Sequence, residues 1–309
     1  MKKTTKVLVT GGAGFIGSNL VDRLIEKGYK VVVIDNLSTG RKENLNPKAK
    51  FYKIDICSPK IRDIFYKERP KIVFHYAAQI NVRKSIEDPI EDANINILGT
   101  LNILENCKNF KVKKFIFPSS VGVYGEPQHL PISEAHPLQP IAPYPVAKLT
   151  VEKYLNYYQT QGFNFTVLRY SNVYGPRQLS SGEAGVIAIF IRCFLNGKRP
   201  IIFGNGKQTR DFLYVEDAVS AAVKSIKAPS GTIYNVGTGE ETSVNDTLEL
   251  FSQIFDKKIN PVFQSLRKGE IIKSSVNFQR IKKEFSWRPM YDFKKGIRKT
   301  VEWFRNYEY

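Results

Sequence analysis

The 309-residue sequence is poor in the residues that build alternatives to a plain hydrophobic core. It has three cysteines, Cys57, Cys107 and Cys193, and none forms a C-x-x-C pair or stands near a histidine at metal-ligand spacing. So odd and scattered a set excludes a disulfide framework and gives no zinc site. No metal is expected, and the thiols read as reduced, which suits a cytoplasmic protein. No apolar run approaches the roughly 20 residues of a membrane span. The opening Val7-Leu8-Val9 run is too short for a secretory signal, and no small-residue cleavage site follows it. The expectation is a soluble protein with no membrane partner. Acidic residues are also short, 29 against 47 Lys and Arg, for a net charge of +18. That balance favours anionic partners, among them nucleic acid, acidic membrane surfaces and phosphorylated small molecules. The basic residues are spread along the chain, with no compact patch interleaved with aromatics, so no nucleic-acid partner is expected.

What is present is an ordinary globular composition, 42% hydrophobic and 25% charged, on a chain long enough for one large α/β unit or two smaller ones. There is no internal repeat and no low-complexity tract. Through the first half, short β-rich runs alternate with helix-like stretches. Lys6–Thr10, Lys30–Ile34, Phe51–Ile54, Ile72–His75, Phe115–Pro118 and Phe165–Tyr170 read as strands; Phe15–Lys27, Ile90–Asn106 and Val146–Gln161 carry apolar residues at helical spacing. Continuous apolar strands such as Val31-Val32-Val33-Ile34 fit burial on both faces, and the alternation predicts an α/β fold with a doubly wound parallel sheet. After about Asn172 the rhythm loosens into Gly-, Pro- and Asn-rich loops. Helices are predicted at Ala184–Leu195, Val215–Ile226, Val244–Phe255 and Phe293–Tyr307, with short strands near Ile201 and Ile233. The expected division is residues 1–171 against a smaller mixed α/β domain of 172–309, from which the chain can cross back.

Thr10-Gly11-Gly12-Ala13-Gly14-Phe15-Ile16-Gly17 joins the first strand to the first helix. Glycines Gly11, Gly14 and Gly17 permit a tight turn and close backbone approach to a pyrophosphate, which then rests on free N–H groups at the helix N-terminus. The next strand ends in Asp35, 18 residues after Gly17. A carboxylate there accepts hydrogen bonds from an adenosine ribose and repels a 2′-phosphate, so NAD is preferred over NADP. The first domain is therefore expected to be an NAD-binding Rossmann domain.

Two further segments carry chemistry. Phe115-Ile116-Phe117-Pro118-Ser119-Ser120 ends a strand in two hydroxyls, and Tyr144-Pro145-Val146-Ala147-Lys148 opens a helix with Tyr144 and Lys148 four apart, on one face. A tyrosine accepts a proton near neutral pH only if its pKa of about 10 is lowered, and a neighbouring ammonium does that.

With these in place the sequence resembles the extended short-chain dehydrogenase/reductases that act on nucleotide sugars, most closely the UDP-glucose 4-epimerase branch. The resemblance covers nearly the whole chain. It includes Asp35-Asn36-Leu37-Ser38-Thr39-Gly40, Phe74-His75-Tyr76-Ala77-Ala78-Gln79, Leu168 through Arg177, and Thr209-Arg210-Asp211-Phe212. It implies Ser120, Tyr144 and Lys148 as the catalytic set. It further implies cofactor contacts from Phe15 and Ile16 at the pyrophosphate turn, from Asn36, Ser38, Thr39 and Gly40, and from Asp55 and Ile56 at the adenine. Ala77, Ala78, Gln79, Asn94 and Tyr170 are implied along the cofactor. Asn172, Phe203, Arg210 and Arg267 are implied to hold the nucleotide-sugar, two guanidiniums suiting a diphosphate because their planar forks bind phosphate oxygens bidentately.

Related sugar dehydratases carry an acidic pair after the Ser/Thr, and decarboxylating relatives a Glu. Val121 and Gly122 stand there instead, and neither can donate or accept a proton. The expected reaction is inversion at C4 of a UDP-hexose through a 4-keto sugar, against two alternatives: another nucleotide-sugar oxidoreductase or dehydratase of the family, and a non-catalytic NAD-binding module. Where narrow-pocket members carry a Tyr seven residues after the diphosphate-binding Arg, this chain has Ser274, which implies room for N-acetylated sugars. The resemblance also implies a homodimer paired through the helices at Ile90–Asn106 and Val146–Gln161.

Overall fold

The structure, a computed structural model, describes residues 5–179, 185–266 and 271–307. β1 (Lys6–Thr10), β2 (Lys30–Asp35), β3 (Lys50–Lys53), β4 (Ile72–His75), β5 (Lys114–Ser120) and β6 (Phe165–Tyr170) join a seventh strand, Thr232–Val236, in one parallel sheet. The order is Thr232–Val236, β6, β5, β4, β1, β2, β3. β1 lies between β2 and β4, with Leu8 beside Val32 on one side and Val73 on the other. The sheet thus grows in both directions from β1, and the crevice at such a reversal is where open α/β sheets take their ligands. The glycine turn leaves β1 at that point.

Helices cover the sheet because its strands are apolar on both faces. They are α1 (Phe15–Glu26), α2 (Ile61–Glu68), α3 (Val82–Glu87), α4 (Pro89–Ala93), α5 (Thr100–Asn109) and α6 (Pro143–Gln159). One core cluster joins Leu8, Val32, Val73, Phe115 and Val167 of the strands to Ile64, Phe65, Ile103, Leu104, Val151 and Leu155 of the helices. Each such side chain, fully buried, contributes about 1.5–3 kcal/mol.

Two departures from the sequence expectation bear on the site. The single helix expected over Ile90–Asn106 is broken: α4 gives way to a π-helical turn, Asn94–Gly99, before α5 begins. At this turn Thr100 Oγ1 donates back to the Asn96 carbonyl at 2.7 Å, and the Asn96 side chain reaches the end of β4; π turns inside helices are frequent at functional sites. β5 also runs on to include Ser119 and Ser120.

Contacts divide the chain into two units. The first holds residues up to Val123, with Pro140–Arg169 and Val219–Tyr234; the second holds Tyr124–Gln139, Tyr170–Ala218 and the chain from Asn235 on. The second unit carries α7 (Val186–Leu195), the start of α8 (Val215–Lys224), α9 (Val244–Phe255), α10 (Gln279–Phe285) and α11 (Phe293–Tyr307), with strand pairs of two or three residues. Phe190 of α7 meets Phe251 of α9 edge-on, and Phe194 meets Phe251 and Phe255 with tilted rings. A reciprocal cap at Ser243 and Asp246 starts α9.

Candidate active site

The turn between β1 and α1 is built so closely that side chains are excluded from it. Gly11 has φ +69°, and a Cβ on it would lie 2.5 Å from the Ala77 nitrogen; a Cβ on Gly17 would lie 2.0 Å from the Gly11 carbonyl oxygen. Gly14, the residue before α1, has no side chain to cap the helix, so the first N–H groups, at Phe15 and Ile16, are open to an anion. At the end of β2 the buried Asp35 carboxylate accepts from Ala13 N at 3.0 Å through Oδ2 and from Leu37 N at 2.8 Å through Oδ1. Each oxygen keeps a second lone pair for a ribose hydroxyl. Gly40 approaches so near that a Cβ would sit 2.9 Å from Asp35 Oδ1. Asn36 donates to Asp55 Oδ2 at 2.6 Å and accepts from Ser38 N, Ser38 and Thr39 are exposed, and Ile56 is buried. Cradle, helix end and acid fit a dinucleotide.

At the end of β4, Ala77, Ala78 and Gln79 are half-buried. Asn94 lies on the exposed side of the π turn, where its carbonyl accepts from the Cys57 thiol at 3.4 Å. The buried residue is Asn96, whose amide donates to the Gln79 carbonyl at 2.8 Å and accepts from Gln79 N at 3.0 Å. Asn96 was not singled out from the sequence, because the widened turn that sends it inward leaves no trace in apolar spacing.

The Ser, Tyr and Lys come together where β5 meets α6. Pro143 and Pro145 preset the first turn of α6, and Ala142 before them is extended. The Tyr144 N–H donates to Ser85 Oγ of α3 at 3.2 Å, and Lys148 Nζ donates to the Pro118 carbonyl of β5 at 3.0 Å. Ser120 Oγ accepts from Gly122 N at 3.1 Å, and a Cβ on Gly122 would touch both Ser120 Oγ and Pro145 at 3.3 Å, so glycine lets this loop lie against the start of α6. Beneath them is a group the sequence reading did not name. Glu152, two turns after Tyr144, accepts from Ser119 Oγ at 2.5 Å and pairs with Arg169, both partners being 2% exposed.

The electrostatics differ from expectation in one respect. Burial, followed by the Asp92 carboxylate, pushes the Tyr144 hydroxyl above its ordinary value of 10. Burial also pushes Lys148 down to about 8, against the carboxylates of Asp92 and Glu152, which hold it up. The Lys148 ammonium is directed at Pro118 and lies 5.8 Å from the Tyr144 ring centre, so in the protein alone it does not make a phenolate. Tyr144 is therefore a neutral hydroxyl at ordinary pH.

In the second unit, Tyr170 is buried with its hydroxyl donating to the Ala218 carbonyl at 3.2 Å. Asn172 is exposed on a short strand, Phe203 ends the Ile201–Phe203 strand half-buried, and half-buried Arg210 donates to its neighbour's carbonyl at 2.8 Å. Arg267 lies outside the described residues. Ser274 and Ser275 are both buried, at 5% and 3% exposure, in a loop. Among the described residues no group of three or more His, Cys, Asp or Glu side chains could hold a metal.

A glycine turn at the sheet's reversal, with a Tyr–Lys helix set against the end of the fifth strand, defines an enzyme of the extended short-chain dehydrogenase/reductase class. Residues 7–237 match the model of the NAD dependent epimerase/dehydratase family, and the chain belongs to that family. Its cofactor is NAD. Three solved structures are similar over nearly the whole chain. UDP-glucose 4-epimerase of Thermotoga maritima, solved with UDP-glucose, is 44% identical with a TM-score of 0.97, covering 99% of this chain and 100% of its own. UDP-N-acetylglucosamine 4-epimerase of Methanobrevibacter ruminantium, in complex with UDP-N-acetylmuramic acid, is 37% identical with a TM-score of 0.93, covering 98% and 99%. UDP-glucose 4-epimerase of Thermus thermophilus, in complex with NAD, is 39% identical with a TM-score of 0.92, covering 98% and 100%.

Proposed function

We propose that the chain inverts C4 of UDP-hexoses, interconverting UDP-glucose with UDP-galactose and UDP-N-acetylglucosamine with UDP-N-acetylgalactosamine through a 4-keto sugar. The observation that carries this is the turn after Ser120. Val121–Tyr124 holds no acid, and its one hydroxyl, on Tyr124, is spent on Asn235 Oδ1 at 2.7 Å. Elimination of water or carbon dioxide at the sugar therefore lacks a proton donor from this turn.

Bound NAD supplies the hydride acceptor and donor for C4, and its positive ring favours the phenolate of Tyr144. Tyr144 then takes the proton of the sugar 4-hydroxyl while Ser120 hydrogen-bonds the same oxygen. Lys148, fixed to the Pro118 carbonyl, holds its positive charge beside the phenol ring. When the sugar has turned within its pocket, Tyr144 returns the proton to the new alcohol. Asn172, Phe203, Arg210 and Arg267 hold the UDP portion in this reading, and the second unit is the nucleotide-sugar domain.

Buried Ser274 in place of a bulky aromatic leaves room for an acetamido group, and the 37% identical N-acetylglucosamine epimerase supports including those substrates. The protein acts as a cytoplasmic homodimer in the same reading. Ile86, Ile90, Leu98, Val146, Tyr154 and Tyr157 are exposed on α3, α4, the π turn and α6, which pack on one another, and apolar side chains left outward on packed helices suit a partner surface. Tyr144→Phe should fold and retain NAD but lose most turnover of UDP-glucose. Full activity would sink the assignment.

A further inference from the structure

We infer that His75 is a positioning residue for the cofactor, held as a neutral imidazole between two threonine hydroxyls so that the ends of β1 and β4 and the π turn form one rigid frame under Ala77–Gln79. His75 closes β4 at 1% exposure, and the catalytic proposal makes no use of it. Its two nitrogens lie 2.8 Å from Thr10 Oγ1 and 2.9 Å from Thr100 Oγ1.

The direction of every bond follows from counting protons. Thr100 Oγ1 donates its one hydrogen to the Asn96 carbonyl at 2.7 Å, which can only accept. It must therefore receive one from His75, and the neutral ring carries its proton on Nε2. The bare Nδ1 takes the Thr10 hydroxyl proton, and the Thr10 oxygen remains to accept the Ala77 N–H at 3.1 Å. A single chain thus runs from the Ala77 N–H through Thr10, His75 and Thr100 to Asn96, with each member satisfied. Phe115 and Phe117 stack on the imidazole, ring centres 5.9 and 6.4 Å away, and fix its plane. Burial, with repulsion from the Lys148 ammonium, holds its pKa near 3, so protonation does not disturb the chain at ordinary pH.

The far end of the chain closes on the same segment. The Asn96 amide grips Gln79 through both its N–H and its carbonyl, and Asp92 Oδ1 accepts from Asn96 Nδ2 at 2.9 Å and Gln79 Nε2 at 2.8 Å. Ala77 is therefore held by Thr10 and Gln79 by Asn96, with His75 setting the distance between the two grips. A segment ordered in advance binds without an ordering cost. The inference rests on Ala77–Gln79 facing NAD.

The test compares Thr100→Val with Thr100→Ser. Valine keeps the shape and strands the Nε2–H, whereas serine keeps the oxygen. The rate of NAD loss from the loaded protein should rise about tenfold or more in Thr100→Val and stay within about twofold in Thr100→Ser. Nitrogen-15 NMR of the wild-type ring should show the Nε2–H tautomer with no titration between about pH 5 and 8. A Thr100→Val protein that melts lower yet keeps wild-type NAD release would overturn the inference, as would the Nδ1–H tautomer. Failure of the underlying reading is seen separately: the Ala77–Gln79 amide signals of the wild type would then not move when NAD binds, and the inference would fall with it.

Discussion

Replacing Glu152 by Gln should be among the most damaging single-atom changes in the chain. The carboxylate sits at 2% exposure between α6 and β6, with Arg169 Nε at 3.1 Å, Arg169 Nη2 at 2.5 Å and Ser119 Oγ at 2.5 Å. An amide keeps the volume but removes the charge, and the guanidinium of Arg169, itself 2% exposed, loses the carboxylate that Glu152 supplies. Removing one partner of a buried pair costs about 3–5 kcal/mol. At about 2–4 °C per kcal/mol for a protein of this size class, the melting point should fall by about 6–20 °C. Replacing the whole cluster by apolar residues (Glu152→Met, Arg169→Leu, Ser119→Ala) should recover most of that loss, because both desolvation penalties go together. Thermal unfolding followed by circular dichroism gives both numbers. A single variant within about 2 °C of wild type, or a triple variant less stable than the single one, would refute the reasoning.

Glu68, at 4% exposure, takes hydrogen bonds from Lys50, Lys6 and Tyr52; burial works to raise its pKa, but these partners outweigh it and hold the value at about 2 against an ordinary 4.5. A depressed carboxylate contributes stability above its unfolded pKa and loses it as the acid form takes over. The melting point should therefore fall as pH drops from about 4.5 towards 2, and Glu68→Gln, measured over the same range, should flatten that fall. Gly17→Ala would set a Cβ 2.0 Å from the Gly11 carbonyl oxygen; the purified protein should carry little NAD, and a full complement of bound cofactor would contradict the turn's role. Ser274→Tyr should suppress turnover of UDP-N-acetylglucosamine by about five- to 150-fold, as overpacking of about 1–3 kcal/mol implies, while sparing UDP-glucose. Equal loss on both sugars would remove Ser274 as the determinant.

How much of this was legible in the sequence depended on the length of each signal. β1, β4 and β6 were bounded to the residue, because continuous apolar strands between glycine or proline breaks admit few other readings. α9 and α11 were likewise bounded, having three or four full turns of apolar periodicity. α2 is not legible in the sequence although Ile61, Ile64, Phe65 and Glu68 are buried on one face, since two turns barely establish a period. The two- and three-residue strands of the second unit carry no period at all. Within the proposed site, the glycines, Asp35, Ser120, Tyr144 and Lys148 stood out by residue type at fixed spacing. Asn96, Glu152 and His75 did not, because their importance lies in partners 17 to 65 positions away in sequence.

The central claim is that hydrogen leaves C4 as hydride and returns to the same carbon from the same cofactor. It is tested most directly by incubating the protein with UDP-glucose in D2O and following the products by proton NMR and absorbance at about 340 nm, where the reduced nicotinamide absorbs. The account predicts UDP-galactose with no deuterium at C4 or C5 and no accumulating NADH. Deuterium bound to either carbon would mean proton abstraction or elimination, and NADH released in proportion to product would mean a net oxidation; either result would contradict it.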